Sequence, residues 1–138
     1  MPSFSLESLD QLKTCHPDLI RLFTEVIKYY DCTIIEGFRN KEQQEKMFNK
    51  HWSQVHFPQS MHNRYLSRAV DAKPVGIDYD KLDKMDWKEW CQFYHFIGFV
   101  KATAINLGIK VRCGGDWDGD MNIRDQKFYD LPHFEIPE

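Results

Sequence analysis

Three side chains that lie far apart in the sequence could together bind a divalent metal ion. His62 lies in a long loop, Asp71 in a short β-branched segment and His133 near the end of the chain. Two imidazoles and one carboxylate suit zinc, and a catalytic zinc site uses three protein ligands and keeps the fourth position for water. Spacing alone leaves other interpretations open. These residues could be solvated loop residues, and His51 and His56 form a rival group with His62.

Two carboxylates near His133 could accept a proton from a metal-bound water. Asp130 precedes His133 by three residues, and Glu135 follows it by two. On a strand, Glu135 would point to the same side as His133. Either acid could act as the general base or orient the imidazole from behind.

A second acidic segment, residues 116–122, carries aspartates at alternate positions. This spacing is similar to that of a calcium-binding loop. The EF-hand pattern fails, however, because Met121 stands at the sixth position in place of glycine and Lys127 at the twelfth in place of glutamate. We therefore expect a solvated acidic turn, with a Ca²⁺ site as the alternative.

The composition is that of an ordinary globular protein. The chain has 138 residues, of which 42% are hydrophobic and 28% charged, and its net charge is −3. This length predicts one domain over residues 1–138 with no separate binding module. The charge argues against a nucleic-acid partner, and the apolar stretches are too short for membrane insertion. The first residues have neither the basic nor the apolar region of a secretory signal, so we expect reduced cysteines buried in the core.

The hydrophobic periodicity alternates between short helices and short strands. We expect helices over about residues 6–12, 18–30, 41–49 and 87–107, and strands over 32–38, 68–72, 109–113 and 133–136. This order predicts a small α+β domain with helices packed on a short, mainly antiparallel sheet. A parallel α/β sheet is the alternative.

The last helix is the clearest of these elements. Asp86 is its expected N-cap and Gly108 its C-cap. Apolar residues from Trp87 to Ile105 follow one face, and several phenylalanines widen it. We therefore expect this helix to be buried on most sides.

Four motifs occur in a fixed order along the chain. They are Glu36-Gly37-Phe38-Arg39-Asn40-Lys41-Glu42-Gln43-Gln44, then Ser60-x-His62 with Ser67-Arg68-Ala69-Val70-Asp71, then Gly114-Gly115-Asp116-Trp117, and finally Asp130-Leu131-Pro132-His133-Phe134-Glu135. Together they resemble the zinc D-alanyl-D-alanine carboxypeptidase and L-alanyl-D-glutamate endopeptidase family, and most closely its compact single-domain phage endolysins. The resemblance covers residues 5–136 and implies the Hedgehog-like α+β fold of that family.

The resemblance also implies a role for individual residues. His62, Asp71 and His133 match the zinc ligands, Asp130 matches the general base, and Arg39 matches the arginine that faces the substrate.

Four further residues are candidates for contact with the substrate. Ser60 is expected to hydrogen-bond near the first ligand or the substrate, and Glu135 is the second acid beside His133. Tyr65 and Trp117 are expected to line the cleft, with core packing as the alternative for Trp117. One departure from the family pattern is an insertion at residues 63–66, which lengthens the gap between the first histidine and the aspartate.

The function implied by the resemblance is hydrolysis of an amide bond in bacterial peptidoglycan, at L-alanyl-D-glutamate. Alternatives are a D,D-carboxypeptidase that removes terminal D-alanine and a metal-stabilised binding domain without turnover. The net negative charge argues against a fourth alternative, a metal nuclease. The resemblance further implies a monomer that collects in the host cytoplasm and reaches the wall after another protein permeabilises the membrane.

Overall fold

The computed structural model describes all 138 residues, which form four α-helices and one four-stranded antiparallel sheet. The α+β class and the antiparallel sheet expected from the sequence are therefore confirmed. Two short 3-10 helices, Met61–Asn63 and Tyr79–Lys81, lie in the connections. The helices are α1 (Leu6–Leu12), α2 (Pro17–Val26), α3 (Lys41–Asn49) and α4 (Trp87–Leu107), and the strands are β1 (Cys32–Glu36), β2 (Ala69–Pro74), β3 (Arg112–Cys113) and β4 (His133–Glu135).

The helix ends follow local side-chain signals. The side chains of Ser5, Asn40 and Asp86 each accept a hydrogen bond from a backbone N–H in the first turn of the helix that follows. Gly108 ends α4 in the left-handed conformation, with φ 71°. Asp86 and Gly108 are the caps expected for α4 from the sequence.

Four elements are shorter than the sequence predicted: β1 and β4 by one or two residues, and α2 and β3 by more. Helix α2 ends at Val26, and hydrogen-bonded turns rather than α-helix continue to Tyr30. Strand β3 contains only Arg112 and Cys113. The N–H of Ile109 bonds back to the carbonyl of Ala104, so the residues after the helix complete its C-terminal cap before the strand begins.

Helix α4 buries one face instead of most of its surface. Trp87 and Ile105, expected on the buried face, are 71% and 70% exposed. The buried set recurs at helical spacing and packs against α2 and β2. It consists of Phe93, Phe96, Ile97, Val100 and Ala104.

The sheet order is β1-β2-β4-β3, which places β2 and β4 side by side at its centre. In this pairing Asp71 lies directly opposite His133. Successive side chains of a strand point to opposite faces, so Phe134 enters the core while His133 and Glu135 lie on the other face. The ring of Phe134 packs edge-on against Phe23 of α2 and Phe96 of α4, with centroids 5.5 and 6.0 Å apart. The core therefore anchors the strand that carries His133.

All four cysteines are free thiols. Cys15, Cys32 and Cys113 are buried, as the sequence suggested, but Cys91 lies on the exposed side of α4. None of the four helices combines the length and the apolar character needed to cross a membrane.

Candidate metal centre and active-site cleft

The sheet and one loop bring His62, Asp71 and His133 to a common point. Asp71 Oδ1 lies 3.3 Å from His62 Nε2 and 3.7 Å from His133 Nδ1. One ligand atom from each of the three residues lies within 4.8 Å of the others, which is a spacing that a single metal ion could bridge. His51 and His56, the rival group, do not join this cluster.

The backbone around His62 fixes the orientation of its ring. Ser60 accepts a hydrogen bond from the N–H of His62 at 3.1 Å and so caps the 3-10 helix that carries it. The Nδ1 of His62 lies 2.7 Å from the carbonyl oxygen of Gly37, which can only accept, so Nδ1 is the donor. The lone pair of Nε2 then points at Asp71. A side chain at position 37 would collide with Thr14 and Gln11. The close packing of the Gly37 backbone against these two residues therefore requires glycine.

A carboxylate behind His133 fixes the orientation of its ring, but here Nε2 is the donor, whereas in His62 it is Nδ1. His133 Nε2 lies 2.7 Å from Glu135 Oε1, so this nitrogen donates and Nδ1 faces Asp71. The other oxygen of Glu135 accepts from Arg112 at 2.6 Å. Glu135 is 4% exposed, and both of its oxygens are bonded within the protein. This arrangement resembles the carboxylate–histidine pairs found behind many metal ligands.

The donor set fits a bound cation. His62 Nε2 and Asp71 Oδ1 are both buried and neither has a hydrogen-bond partner. A neutral imidazole lone pair and a carboxylate oxygen repel each other, so this contact needs a positive charge shared between them. Two histidines and one carboxylate, with no thiolate, match the ligands of catalytic metal sites that leave a position open.

The electrostatics of the site favour positive charge. Burial alone would raise the pKa of Asp71, but the interactions of its carboxylate with the imidazoles of His62 and His133 outweigh burial and hold that pKa well below its usual range. Burial lowers the pKa of His133, but the nearby carboxylates of Asp71, Glu135 and Asp130 outweigh this effect and raise it to about 10. The carboxylates around His133 therefore stabilise a cation at this point, whether it is a proton or a metal ion.

Asp130 faces the same point from the turn before β4. Its Oδ2 lies 4.0 Å from His133 Nδ1, its side chain is 30% exposed, and its carboxylate makes no hydrogen bond. Burial, together with the negative charge of Asp71, raises the pKa of Asp130 to about 6. Asp130 is thus a carboxylate held close to the candidate metal ligands with its oxygens free.

Arg39 is buried beside Asp71 and does not lie free in the cleft. Its Nε donates to Glu36, its Nη1 donates to Gln44 at 2.9 Å, and its Nη2 lies 3.5 Å from Asp71 Oδ2. The residue is 4% exposed. Its guanidinium therefore holds Asp71 from behind while still bordering the cleft.

These residues lie on a cleft of about 1010 Å³. Trp117 lines it, with its ring 5.3 Å from that of His133 and stacked on Phe128. Tyr65 does not line it, contrary to the sequence expectation. Tyr65 is 75% exposed and packs against Phe38 instead.

Sequence reasoning missed Arg112 and Tyr79, which also line this cleft. Arg112 lies outside the four motifs. Only the pairing of β3 with β4 shows that it stands opposite Glu135, its partner. Tyr79 comes from the loop after β2 and packs edge-on against Trp52. An isolated tyrosine in a loop carries no signal in the sequence.

The acidic loop forms a second cluster of carboxylates. Asp116, Asp118 and Asp120 bring ligand atoms within 4.8 Å of one another. Asp116 is 2% exposed; its Oδ2 accepts from Lys101 at 2.7 Å, while its Oδ1 has no partner. Met121 adopts φ 68°, the left-handed conformation that an EF-hand loop requires at its sixth position, although it is not glycine.

Two comparisons with known proteins found similar proteins. Among solved structures, the chain is similar to the Serratia marcescens L-Ala D-Glu endopeptidase ChiX, with 26% identity and a TM-score of 0.69 over 99% of this chain and 91% of ChiX. A search of curated proteins gives no match. The family model described as phage L-alanyl-D-glutamate peptidase matches residues 2–136. The chain therefore belongs to the phage L-alanyl-D-glutamate peptidase family, whose members are hydrolases that act on the bacterial cell wall.

Proposed function

We propose that the protein is a zinc-dependent peptidase in which His62, Asp71 and His133 bind the metal and Asp130 acts as the general base. The observation that carries this proposal is the buried, unpaired contact between His62 Nε2 and Asp71 Oδ1, with His133 Nδ1 beside it. The substrate is the L-alanyl-D-glutamate bond in the stem peptides of peptidoglycan, as the family membership implies.

Zinc is the metal that this donor set favours. Imidazole and carboxylate ligands suit zinc, and three of them leave one position for water. When bound, zinc polarises the scissile carbonyl and lowers the pKa of its water toward about 7.

Asp130 accepts the proton of the attacking water and passes it to the leaving amine of the D-glutamyl residue. Two features support this role: its carboxylate makes no hydrogen bond, and it lies 4.0 Å from a proposed ligand nitrogen. Glu135 is the weaker candidate because His133 and Arg112 occupy both of its oxygens. We therefore assign Glu135 to orienting His133, and not to contact with the substrate.

Arg39 supplies a fixed positive charge at the edge of the cleft. Glu36 and Gln44 hold its guanidinium from one side, and its Nη2 faces Asp71. A guanidinium held in this way keeps the Asp71 carboxylate in place and can stabilise negative charge that develops on the substrate. Lysine, with a single nitrogen, could not contact all three partners.

Digestion of purified cell wall by wild type and by Asp130→Asn tests the proposal. We expect the wild type to release new D-glutamyl amino termini and to contain one zinc per chain. Asp130→Asn should keep the zinc and lose nearly all turnover, while Asp10→Asn, an exposed change on α1, should behave as wild type.

Three results would contradict parts of the proposal. Release of D-alanine without new amino termini would indicate a D,D-carboxypeptidase. Metal binding without any product would indicate a binding domain. Full activity of Asp130→Asn would exclude Asp130 as the base.

We propose further that the acidic loop binds a hard cation such as Ca²⁺. The support is the buried Asp116 Oδ1, which has no partner and lies close to the carboxylates of Asp118 and Asp120. A backbone hydrogen bond at Asp120 lowers the pKa of Asp118, but burial and the neighbouring carboxylates of Asp116 and Asp120 outweigh it and raise that pKa. A bound cation would relieve the repulsion among the three carboxylates. Carboxylate oxygens are the ligands that calcium prefers.

The route to the substrate follows from the phage origin of the family. We propose that the peptidase collects as a monomer in the host cytoplasm and reaches peptidoglycan once the membrane has been permeabilised. Light scattering on the purified protein checks the monomer, and fractionation of host cells before and after membrane disruption checks the route. A dimer, or protein in the medium before disruption, would contradict it.

A further inference from the structure

Arg112, which the proposed mechanism does not use, lies behind the proposed ligand His133. It stands on β3 directly opposite Glu135 on β4. Its Nη2 and Nε donate to Glu135 Oε2 at 2.6 and 3.1 Å. The other oxygen of the same carboxylate, Oε1, lies 2.7 Å from His133 Nε2. One buried carboxylate therefore joins the guanidinium to the imidazole.

We propose that Arg112 is a positioning residue for the metal centre. By holding Oε2 of Glu135, it aims Oε1 at Nε2 of His133, and this hydrogen bond keeps Nδ1 of His133 turned toward the metal. The inference rests on the proposed metal site at His62, Asp71 and His133.

The geometry of the pair supports this role. A carboxylate that is taken out of water needs partners for both oxygens, and Glu135 is 4% exposed. The guanidinium presents two N–H groups in a fixed plane, which restrains the carboxylate more than a single ammonium would. Trp117 covers the cluster, since its ring centroid lies 5.8 Å from Arg112 Cζ and 5.3 Å from the His133 ring.

The competing explanation is that the ion pair only joins the short strand β3 to β4. Partly exposed ion pairs contribute little to stability, and the Arg112 side chain is 47% exposed. A purely structural pair would change the melting temperature of a variant and leave its metal affinity unchanged. A positioning pair would change the metal affinity and the ligand geometry of a protein that is still folded.

Two measurements on the folded protein separate these explanations. They are zinc affinity by competition with a chelator, and the visible spectrum of the cobalt-substituted protein, which reports ligand geometry. Partners of metal ligands typically contribute about 10–100-fold to metal affinity. We expect Arg112→Gln to bind zinc about tenfold more weakly with an altered cobalt spectrum, and Arg112→Lys, which keeps the charge but offers a single nitrogen, to recover part of the affinity. Arg21→Gln, the same change at an exposed position on α2, is the matched control and should bind as wild type.

The outcomes are distinct. A wild type that binds no metal overturns the proposed function. A wild type that binds zinc, with Arg112→Gln equal to it in affinity and cobalt spectrum, overturns this inference alone. If Arg112→Gln does not fold, Glu135→Asp provides the test, because it keeps the charge that faces Arg112 but draws the carboxylate away from His133. Unchanged zinc affinity in that variant also overturns the inference.

Discussion

Replacing Gly114 by alanine should displace the proposed base, Asp130. Gly114 N donates to the carbonyl of His133 at 2.8 Å, and the N–H of Asp130 donates to the carbonyl of Gly114 at 3.0 Å. An alanine Cβ here would overlap the carbonyl oxygen of Asp130 and would lie 2.8 Å from the Cβ of Asp130. The turn that carries Asp130 must therefore move.

The size of the effect follows from these contacts. Ordinary carbon contacts begin at 3.4 Å, so the two Cβ atoms must separate by at least 0.6 Å, and the carbonyl must move further. A misplacement on the order of 1 Å can cost about 10²-fold in rate. Overpacking of this kind also destabilises a protein by about 1–3 kcal/mol. We therefore expect Gly114→Ala to remain folded with a lower melting temperature and a kcat reduced by about two orders of magnitude.

The assay measures turnover on solubilised cell-wall peptide, with the melting temperature measured on the same sample. Gly98→Ala is the matched control, because nothing lies within 4 Å of the added Cβ on the exposed side of α4. Alanine is favoured over glycine within a helix by about 0.5–1 kcal/mol, so this control should be slightly more stable and fully active. A fully active Gly114→Ala with an unchanged melting temperature would refute the proposed packing around Asp130.

Three further predictions concern other parts of the molecule. Arg39→Lys should lower kcat on cell-wall peptide by about 10²-fold, the effect typical of losing one fixed donor. Wild-type kinetics in this variant would show that the contacts of Arg39 with Glu36, Gln44 and Asp71 are dispensable. Millimolar calcium should raise the melting temperature of the wild type but not of Asp118→Asn. An unchanged melting temperature in both proteins would show that the loop is a solvated turn. A thiol reagent should modify Cys91 alone in the native protein and all four cysteines after denaturation; rapid modification of all four in the native state would contradict the buried positions of the other three.

Local signals in the sequence were enough to predict where α3 and α4 begin and where α4 ends. The side chains at Asn40 and Asp86 bond to backbone atoms three residues away, so their effect is contained within one turn. The burial of α4 could not be predicted in the same way. Trp87 and Ile105 are as apolar as the buried residues, and only the positions of α2 and β2 decide which side of the helix is covered.

The candidate site depends on contacts between distant segments. Spacing alone does not show that Asp71 lies opposite His133, because the register of β2 and β4 sets that pairing; only the resemblance to a family suggested it. The partner of His62 Nδ1 is a backbone carbonyl, at Gly37, so no side chain in the sequence indicates this contact. The role of Arg112 likewise depends on its cross-strand neighbour. The chemistry was therefore predictable from residue types, and so were Ser60 and Glu135 as candidates beside the ligands, but the roles of the Gly37 carbonyl and of Arg112 were not.

X-ray absorption at the zinc edge, recorded on the purified wild-type protein, tests the central claim most directly. The account predicts one zinc per chain with a first shell of nitrogen and oxygen only, at about 2.0–2.2 Å, and the signature of two imidazoles. Sulfur at about 2.3 Å, or a protein that binds no zinc, would contradict it.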